Sequence, residues 1–377
     1  MFNALTPLPP DPILGLNAAF KEDPNPKKVD LGIGVYKDED GNTPVMNAVK
    51  EAEKVILNSQ ITKAYIGPTG APGYNEAIAK LVLGDTLKKS LGSRRITMQT
   101  PGGCGGLRIA AEFIMRANPD STIWISDPTW ANHKPLIGSA GLKFNSYPYY
   151  NYETHSVDFD GMMATLANVP RGDLVLLHGC CHNPSGADLT PSQWQSLCKL
   201  ALKQNFTIFI DLAYQGMGDG IEEDVLGVRL LAESLPELIV VSSCSKNFGL
   251  YRERTGAITL ICENDKATSA ARTLLAAAAR ANYSMPPDHG AAIVELITED
   301  PTLNQMWQEE LKRVRDRINE LRFIFSESLR KAGVQKDFSF IQSEKGMFSF
   351  LGVNRNQIQE LINKLSLIHI SEPTRPE

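Results

Sequence analysis

Residues 238–261 read LIVVSSCSKNFGLYRERTGAITLI, and they decide the fold. Two apolar, β-branched runs, LIVVSS (238–243) and GAITLI (256–261), flank a polar stretch that holds Lys246. Runs without polar alternation suit strands covered on both faces, as in a mainly parallel sheet with helices on either side. Similar runs recur upstream as STIWIS (121–126), DLVLLH (173–178) and FTIFID (206–211), separated by amphipathic stretches. That alternation predicts an α/β fold, whose ligands gather at the carboxyl ends of the strands. Lys246 falls at such an end. So does Asp211, the last residue of FTIFID, a carboxylate in an apolar setting that needs a partner once buried.

Helix signals fill the gaps between strands. Thr190, Pro191 and Gln193 combine a capping hydroxyl, a proline at the first helical position and a polar residue that closes the capping box. Trp194, Leu197, Cys198, Ala201 and Leu202 then share one face. Asp300 and Pro301 repeat the start, and Trp307, Leu311, Val314, Ile318, Leu321 and Phe325 form a long apolar stripe that Gly333 stops. A helix of that length either bridges two domains or runs through a large core. With 377 residues the chain exceeds the roughly 250–300 at which a single core stops growing. The expected division is a large domain over 45–314 and a smaller α/β domain built from both chain ends. The smaller one takes an N-terminal arm and first part from 1–44 and its remainder from 315–364.

Composition narrows the function. Lys plus Arg number 38 against 43 Asp plus Glu, a net charge of −5, so no basic surface is expected for nucleic acid or anionic membrane. The start, MFNALTPLPPDPILGL, lacks the basic and apolar regions of an export signal, and no run reaches the ~18 apolar residues of a membrane span. Cysteines 104, 180, 181, 198, 244 and 262 show no CxxC repeat, which fits reduced thiols and a cytoplasmic protein. His178, Cys180, Cys181 and His182 lack zinc-site spacing, so no metal is expected.

QTPGGCGGLR (99–108) places four glycines in a loop directly before a helical pattern at Leu107, Ala110, Ala111 and Ile114. Such a loop either cradles a phosphate on free backbone amides or makes a tight turn. It lacks the Walker lysine and the full GxGxxG of a dinucleotide site.

Taken in order, LGIGVYKDEDG, QTPGGCGGLR, SDPTWANH, HGCCHNPSGADLT, DLAYQG, SKNFGLYRERTG, RANYSMPP and GMFSF resemble a class I, fold type I aminotransferase of the aspartate/aromatic family. The resemblance covers about residues 1–364. It implies a pyridoxal 5'-phosphate (PLP) cofactor held as a Schiff base on Lys246, with Asp211 pairing the pyridine nitrogen and Trp130 stacking on the ring. Asn183 and Tyr214 match the pair that hydrogen-bonds the phenolic oxygen. Arg254, Ser243 and the Gly103 and Cys104 amides match phosphate ligands, and Tyr65 matches a tyrosine that reaches the phosphate from a neighbouring subunit. Relatives usually carry threonine or serine where Cys104 stands, and a thiol is a weaker donor. Arg280 matches the arginine that a partner subunit offers to a substrate side-chain carboxylate, and Gly34 a glycine of the segment that closes over substrate. A homodimer with shared active sites follows.

The implied reaction is ping-pong transfer of an amino group from aspartate to 2-oxoglutarate, with Lys246 as general acid and base. An aromatic amino acid aminotransferase and a dinucleotide enzyme read from the glycine loop are the rivals. After Lys364 the resemblance stops at LSLIHISEPTRPE, where relatives carry an arginine that clamps the substrate α-carboxylate. Arg375 matches nothing around that arginine. Residues 365–377 are expected to be a non-native junction, leaving a PLP-binding but poorly active protein.

Overall fold

A computed structural model describes residues 2–7, 20–31, 34–365 and 367–369. The chain divides into two compact units, one of residues 1–35 with 351–377 and one of Tyr36–Phe350. Residues 315–350, expected in the smaller domain, are thus grouped with the sheet. In the first unit β1 (Val29–Leu31) pairs in parallel with a strand at Leu367–His369, and the helix Arg355–Leu365 buries Ile358. Arg375 lies outside the described residues.

In the second unit β2 (Arg95–Pro101), β3 (Thr122–Asp127) and β4 (Lys143–Pro148) precede a short pair, β5 (Tyr150–Asn151) and β6 (Ser156–Val157). β7 (Leu174–His178), β8 (Thr207–Leu212), β9 (Leu238–Ser243) and β10 (Thr255–Ile261) follow. Seven of them form one sheet in the order β2-β10-β9-β8-β7-β3-β4, in which β10 alone runs antiparallel to its neighbours. The five strands marked by the apolar runs are all present. Two more, β2 and β4, lie outside those runs: β2 buries Gln99 and Thr100, and edge strand β4 is half polar.

Both faces of the sheet are covered, which is why its strands carry uninterrupted apolar runs. Along β9, Leu238 and Val240 join one apolar core while Ile239 and Val241 join a second on the opposite face. β8 divides likewise, with Ile208 and Ile210 against Phe209. Each fully buried aliphatic side chain contributes about 1.5–3 kcal/mol, so both faces anchor the strands that carry the site.

The helix Pro191–Gln204 starts on the expected capping box, with Thr190 Oγ1 accepting from the Gln193 amide and Gln193 Oε1 from the Thr190 amide. Pro301–Lys331 is capped by Asp300, which accepts from the Thr302 and Leu303 amides at 2.8 and 2.9 Å. Its stripe is buried at Trp307 and Leu311, whereas Leu321 and Phe325 are 46% and 42% exposed. The glycine run differs from expectation: it forms the first turn of the helix Gly102–Ala117 itself. That helix sits close on the sheet, since a Cβ at Gly106 would stand 2.6 Å from Val241 Cγ1.

Candidate functional site

The parallel strands deliver their side chains to one edge. β2 exits at Pro101 into Gly102, β3 at Asp127 ahead of Trp130, and β7 at His178 ahead of Asn183. Asp211 stands near the end of β8, and Ser243 ends β9 just before Lys246. Reversed β10 places its entrance at that same edge, with Thr255 opposite Pro101 and Gly256 opposite Ser243. Arg254 thereby arrives beside Gly102.

Backbone and glycine geometry there form a cup. Gly102 has φ +70°, and a Cβ on it would lie 2.5 Å from Arg254 Nη2. A Cβ on Gly103 would lie 3.2 Å from the Ser243 Cβ, and one on Gly256 would strike the Gly102 backbone at 2.5 Å. Arg254 is itself left-handed at φ +52° and donates to Tyr251 O at 3.1 Å. Amides of a helix's first turn, a serine hydroxyl and a guanidinium together suit a phosphate dianion. Burial raises the Cys104 thiol, against Arg254 and Lys246, which lower it. It is therefore a protonated, weak donor at neutral pH.

Lys246 is half-buried, and burial depresses its amine, although Asp211 and Cys104 pull it the other way. Its Nζ lies 4.8 Å from the centre of the Tyr214 ring. Burial raises the Tyr214 phenol, while the facing Asn183 side chain lowers it. Asn183 Oδ1 is buried without a hydrogen-bond partner, a polar atom left for a ligand to satisfy.

Asp211 is 7% exposed and yet ionised. Burial pushes its carboxyl up, but the His133 hydrogen bond, with the charge of Lys246, outweighs that, leaving it below its usual value. His133 Nε2 stands 3.2 Å from Asp211 Oδ2, and Thr129 Oγ1 lies 2.8 Å from Nδ1. A carboxylate only accepts, so Nε2 carries the proton and the threonine hydroxyl donates to Nδ1 when the ring is neutral. Trp130 meets His133 edge-on at 5.3 Å. Behind them burial drives His178 down to about 3 and His182 well below its usual value. His182 stacks on Tyr149 at 4.0 Å and bonds Ser126 and Ser185.

The structure thus gathers Lys246, Asp211, Tyr214, Asn183, Trp130, Gly103, Cys104, Ser243 and Arg254 at one edge of the sheet. Tyr65 is 91% exposed, Arg280 is exposed at the end of the helix Asp265–Asn282, and Gly34 belongs to the other unit. His133, His178 and Gly102 are added to the site. His133 is present in SDPTWANH, but no spacing ties it to Asp211. The four residues weighed for zinc part company among the described residues: His178 groups with His133 and Asp211, Cys180 and Cys181 with Asp224. The Asp224 carboxylate already accepts from the amides of Gly216, Gly218, Asp219 and Gly220.

Residues 26–377 match the family model for class I and II aminotransferases, so the match runs beyond Lys364. The chain is 45% identical to the aspartate aminotransferase of Salmonella typhi over 96% of this chain and 91% of that protein. It is 43% identical to the aromatic-amino-acid aminotransferase of Paracoccus denitrificans, over 99% and 94%. Among solved structures, the Burkholderia pseudomallei aromatic-amino-acid aminotransferase covalently bound to pyridoxal phosphate superposes with TM-score 0.96 at 41% identity, covering 99% of this chain and 93% of that one.

Proposed function

The chain belongs to the class I and II aminotransferases, and from that premise we propose that it transfers the amino group of aspartate to 2-oxoglutarate using pyridoxal phosphate on Lys246. One observation carries the reading: a half-buried lysine with a depressed amine shares an edge with a buried carboxylate held below its usual pKa and an arginine–glycine cup. These residues fit the cofactor. Arg254, Ser243 and the Gly103 and Cys104 amides would hold the phosphate. Asp211 would pair the ring nitrogen, Asn183 and Tyr214 the phenolic oxygen, and Trp130 would stack on the ring.

When bound, pyridoxal phosphate supplies an electron-withdrawing ring that stabilises negative charge at the substrate Cα. Ionised Asp211 keeps the ring nitrogen protonated, and His133 keeps Asp211 ionised. The depressed Lys246 amine is neutral more readily than an exposed one, so, once a substrate amine has displaced it from the cofactor, it would take the proton from the substrate Cα and deliver it to the cofactor's C4′. Tyr214 stands against that amine, its ring centre 4.8 Å from Nζ. Oxaloacetate leaves before 2-oxoglutarate binds.

Substrate selection is assigned to Arg280 and phosphate closure to Tyr65, each offered across a homodimer, with Gly34 in the closing segment. Exposed Leu57, Ile61 and Tyr65, at 82%, 99% and 91%, support an interface there, since such side chains rarely face water together. A cytoplasmic setting is supported by six free thiols. Among the described residues no helix is long and apolar enough to cross a membrane.

Aromatic amino acids are the second reading, supported by the Paracoccus relative. Initial rates with aspartate and tyrosine, each with 2-oxoglutarate, decide between them. Absence of any keto acid when excess amino acid meets the PLP-loaded protein would defeat both.

A further inference from the structure

We propose that the helix Pro301–Lys331 sets the distance between Lys246 and Tyr214, with Trp307 and Arg315 as its positioning residues. The inference rests on the reading of Lys246 as the reactive amine.

Lys246 and Tyr214 follow different strands, β9 and β8, and each stands in a turn beyond the ladder. Sheet pairing fixes the strand ends but not those turns. The Gly249 amide donates to Lys246 O at 3.1 Å, closing one turn, and the Met217 amide to Tyr214 O at 2.9 Å, closing the other.

The helix grips both. Trp307 is 1% exposed, and its Nε1 donates to Asn247 O, the carbonyl next to Lys246, at 2.7 Å. Its ring lies parallel to Phe248 at 4.4 Å. A buried indole must satisfy its N–H, and here the acceptor is the lysine turn itself. Two turns further along the helix Arg315 Nη1 donates to Gly216 O at 3.0 Å, in the Tyr214 turn. Between them Leu311 fills the space above Gly216, where a Cβ would come within 2.5 Å of Leu311 Cδ2 and φ is +92°. Positions 307, 311 and 315 are spaced by four, so they lie along one face over roughly 12 Å of helix. A single rigid element thus spans the two turns that hold the amine 4.8 Å from the phenol ring.

The test uses the PLP-loaded full chain and three variants. Trp307→Phe keeps the ring stack and removes the donor, and Arg315→Met keeps the stem and removes the donor to Gly216. Leu275→Ala, in the core on the opposite face of the sheet, is a control for stability alone. The readouts are kcat and KM for aspartate, the pH midpoint of the visible absorption, and Tm.

Both helix variants are expected to lose roughly tenfold or more in kcat, as ångström-scale misplacement of a reacting group does, with KM within about twofold. Each should also shift the pH midpoint, whereas Leu275→Ala should lower Tm and leave the midpoint in place. Parental kcat and midpoint in both variants would overturn the proposal, as would changes that merely track Tm. Should Trp307→Phe fail to fold, Arg315→Met, at a half-buried position, decides alone. A parent with no pH-dependent visible band overturns the Lys246 reading and this inference with it; a parent with the band and unshifted variants overturns the inference alone.

Discussion

Replacing Gly102 with alanine should weaken PLP binding more than it weakens the fold. Gly102 has φ +70°, a region where a side chain costs about 1–2 kcal/mol, and that strain is present with or without cofactor. The new Cβ would stand 2.5 Å from Arg254 Nη2 and 2.9 Å from Cζ. Those atoms end a flexible chain, so the guanidinium swings aside at little cost to folding but leaves the cup. A charge-assisted hydrogen bond to the phosphate is worth about 1.5–3 kcal/mol. At tenfold per 1.4 kcal/mol, Kd for PLP should rise roughly ten- to hundredfold. Titration of the apo protein with PLP, followed by visible absorption, measures that effect, and denaturant unfolding of the apo protein measures the strain. Gly103→Ala, whose Cβ would meet only the Ser243 side chain at 3.2 Å, should show smaller losses in both. A Gly102→Ala protein with parental Kd, or one whose loss lies wholly in apo stability, refutes the reasoning.

Three further outcomes are expected. Asp211 is held below its usual pKa, so its contribution to stability is full above its unfolded value and is lost as pH falls through its folded value. His133→Phe should raise that folded value and move acid unfolding to higher pH; an unmoved midpoint by circular dichroism would exclude His133 as the cause. Burial lifts Glu344 to about 7, so stability should decline as pH climbs from the ordinary glutamate value of about 4.3 towards 7. Glu344→Gln should abolish that decline, as denaturant unfolding at acid and neutral pH will reveal. Arg280→Ala should lower kcat/KM for aspartate by one to two orders of magnitude or so and for tyrosine much less, consistent with a lost charge-assisted bond. Equal losses on both substrates would remove Arg280 from its assignment.

Much of the fold was legible because burial on both sheet faces leaves a mark on every strand residue. LIVVSS had the unbroken apolar character of a covered strand, and Thr190 with Gln193 announced a helix start through hydrogen bonds that the structure contains. β2 and β4 escaped because Gln99 and Thr100 are buried through specific partners, and because an edge strand tolerates Lys143 and Asn145. The site was partly legible: Lys246 and Asp211 betray themselves at strand ends. His133 and His178 do not, since β3 and β7 bring them to Asp211 on β8 and no spacing along the chain records that meeting. The stripe on Pro301–Lys331 shows a different limit. Its period specifies a helix, but Leu321 and Phe325 remain exposed, because periodicity says nothing of what covers a face.

The reversed strand β10 bears on how such a site can change. Its pairing with β9, Gly256 against Ser243, makes the loop from Cys244 to Arg254 the closed end of a hairpin that carries a lysine and an arginine together. Because side chains alternate along a strand, adding or deleting one residue in that loop either strains it or slips the register and turns the apolar set of β10 inside out. Point substitutions there can be explored singly, whereas changes of length disturb both charged groups in one step. For grafting such a site onto another sheet, the transferable part is the whole hairpin at fixed length.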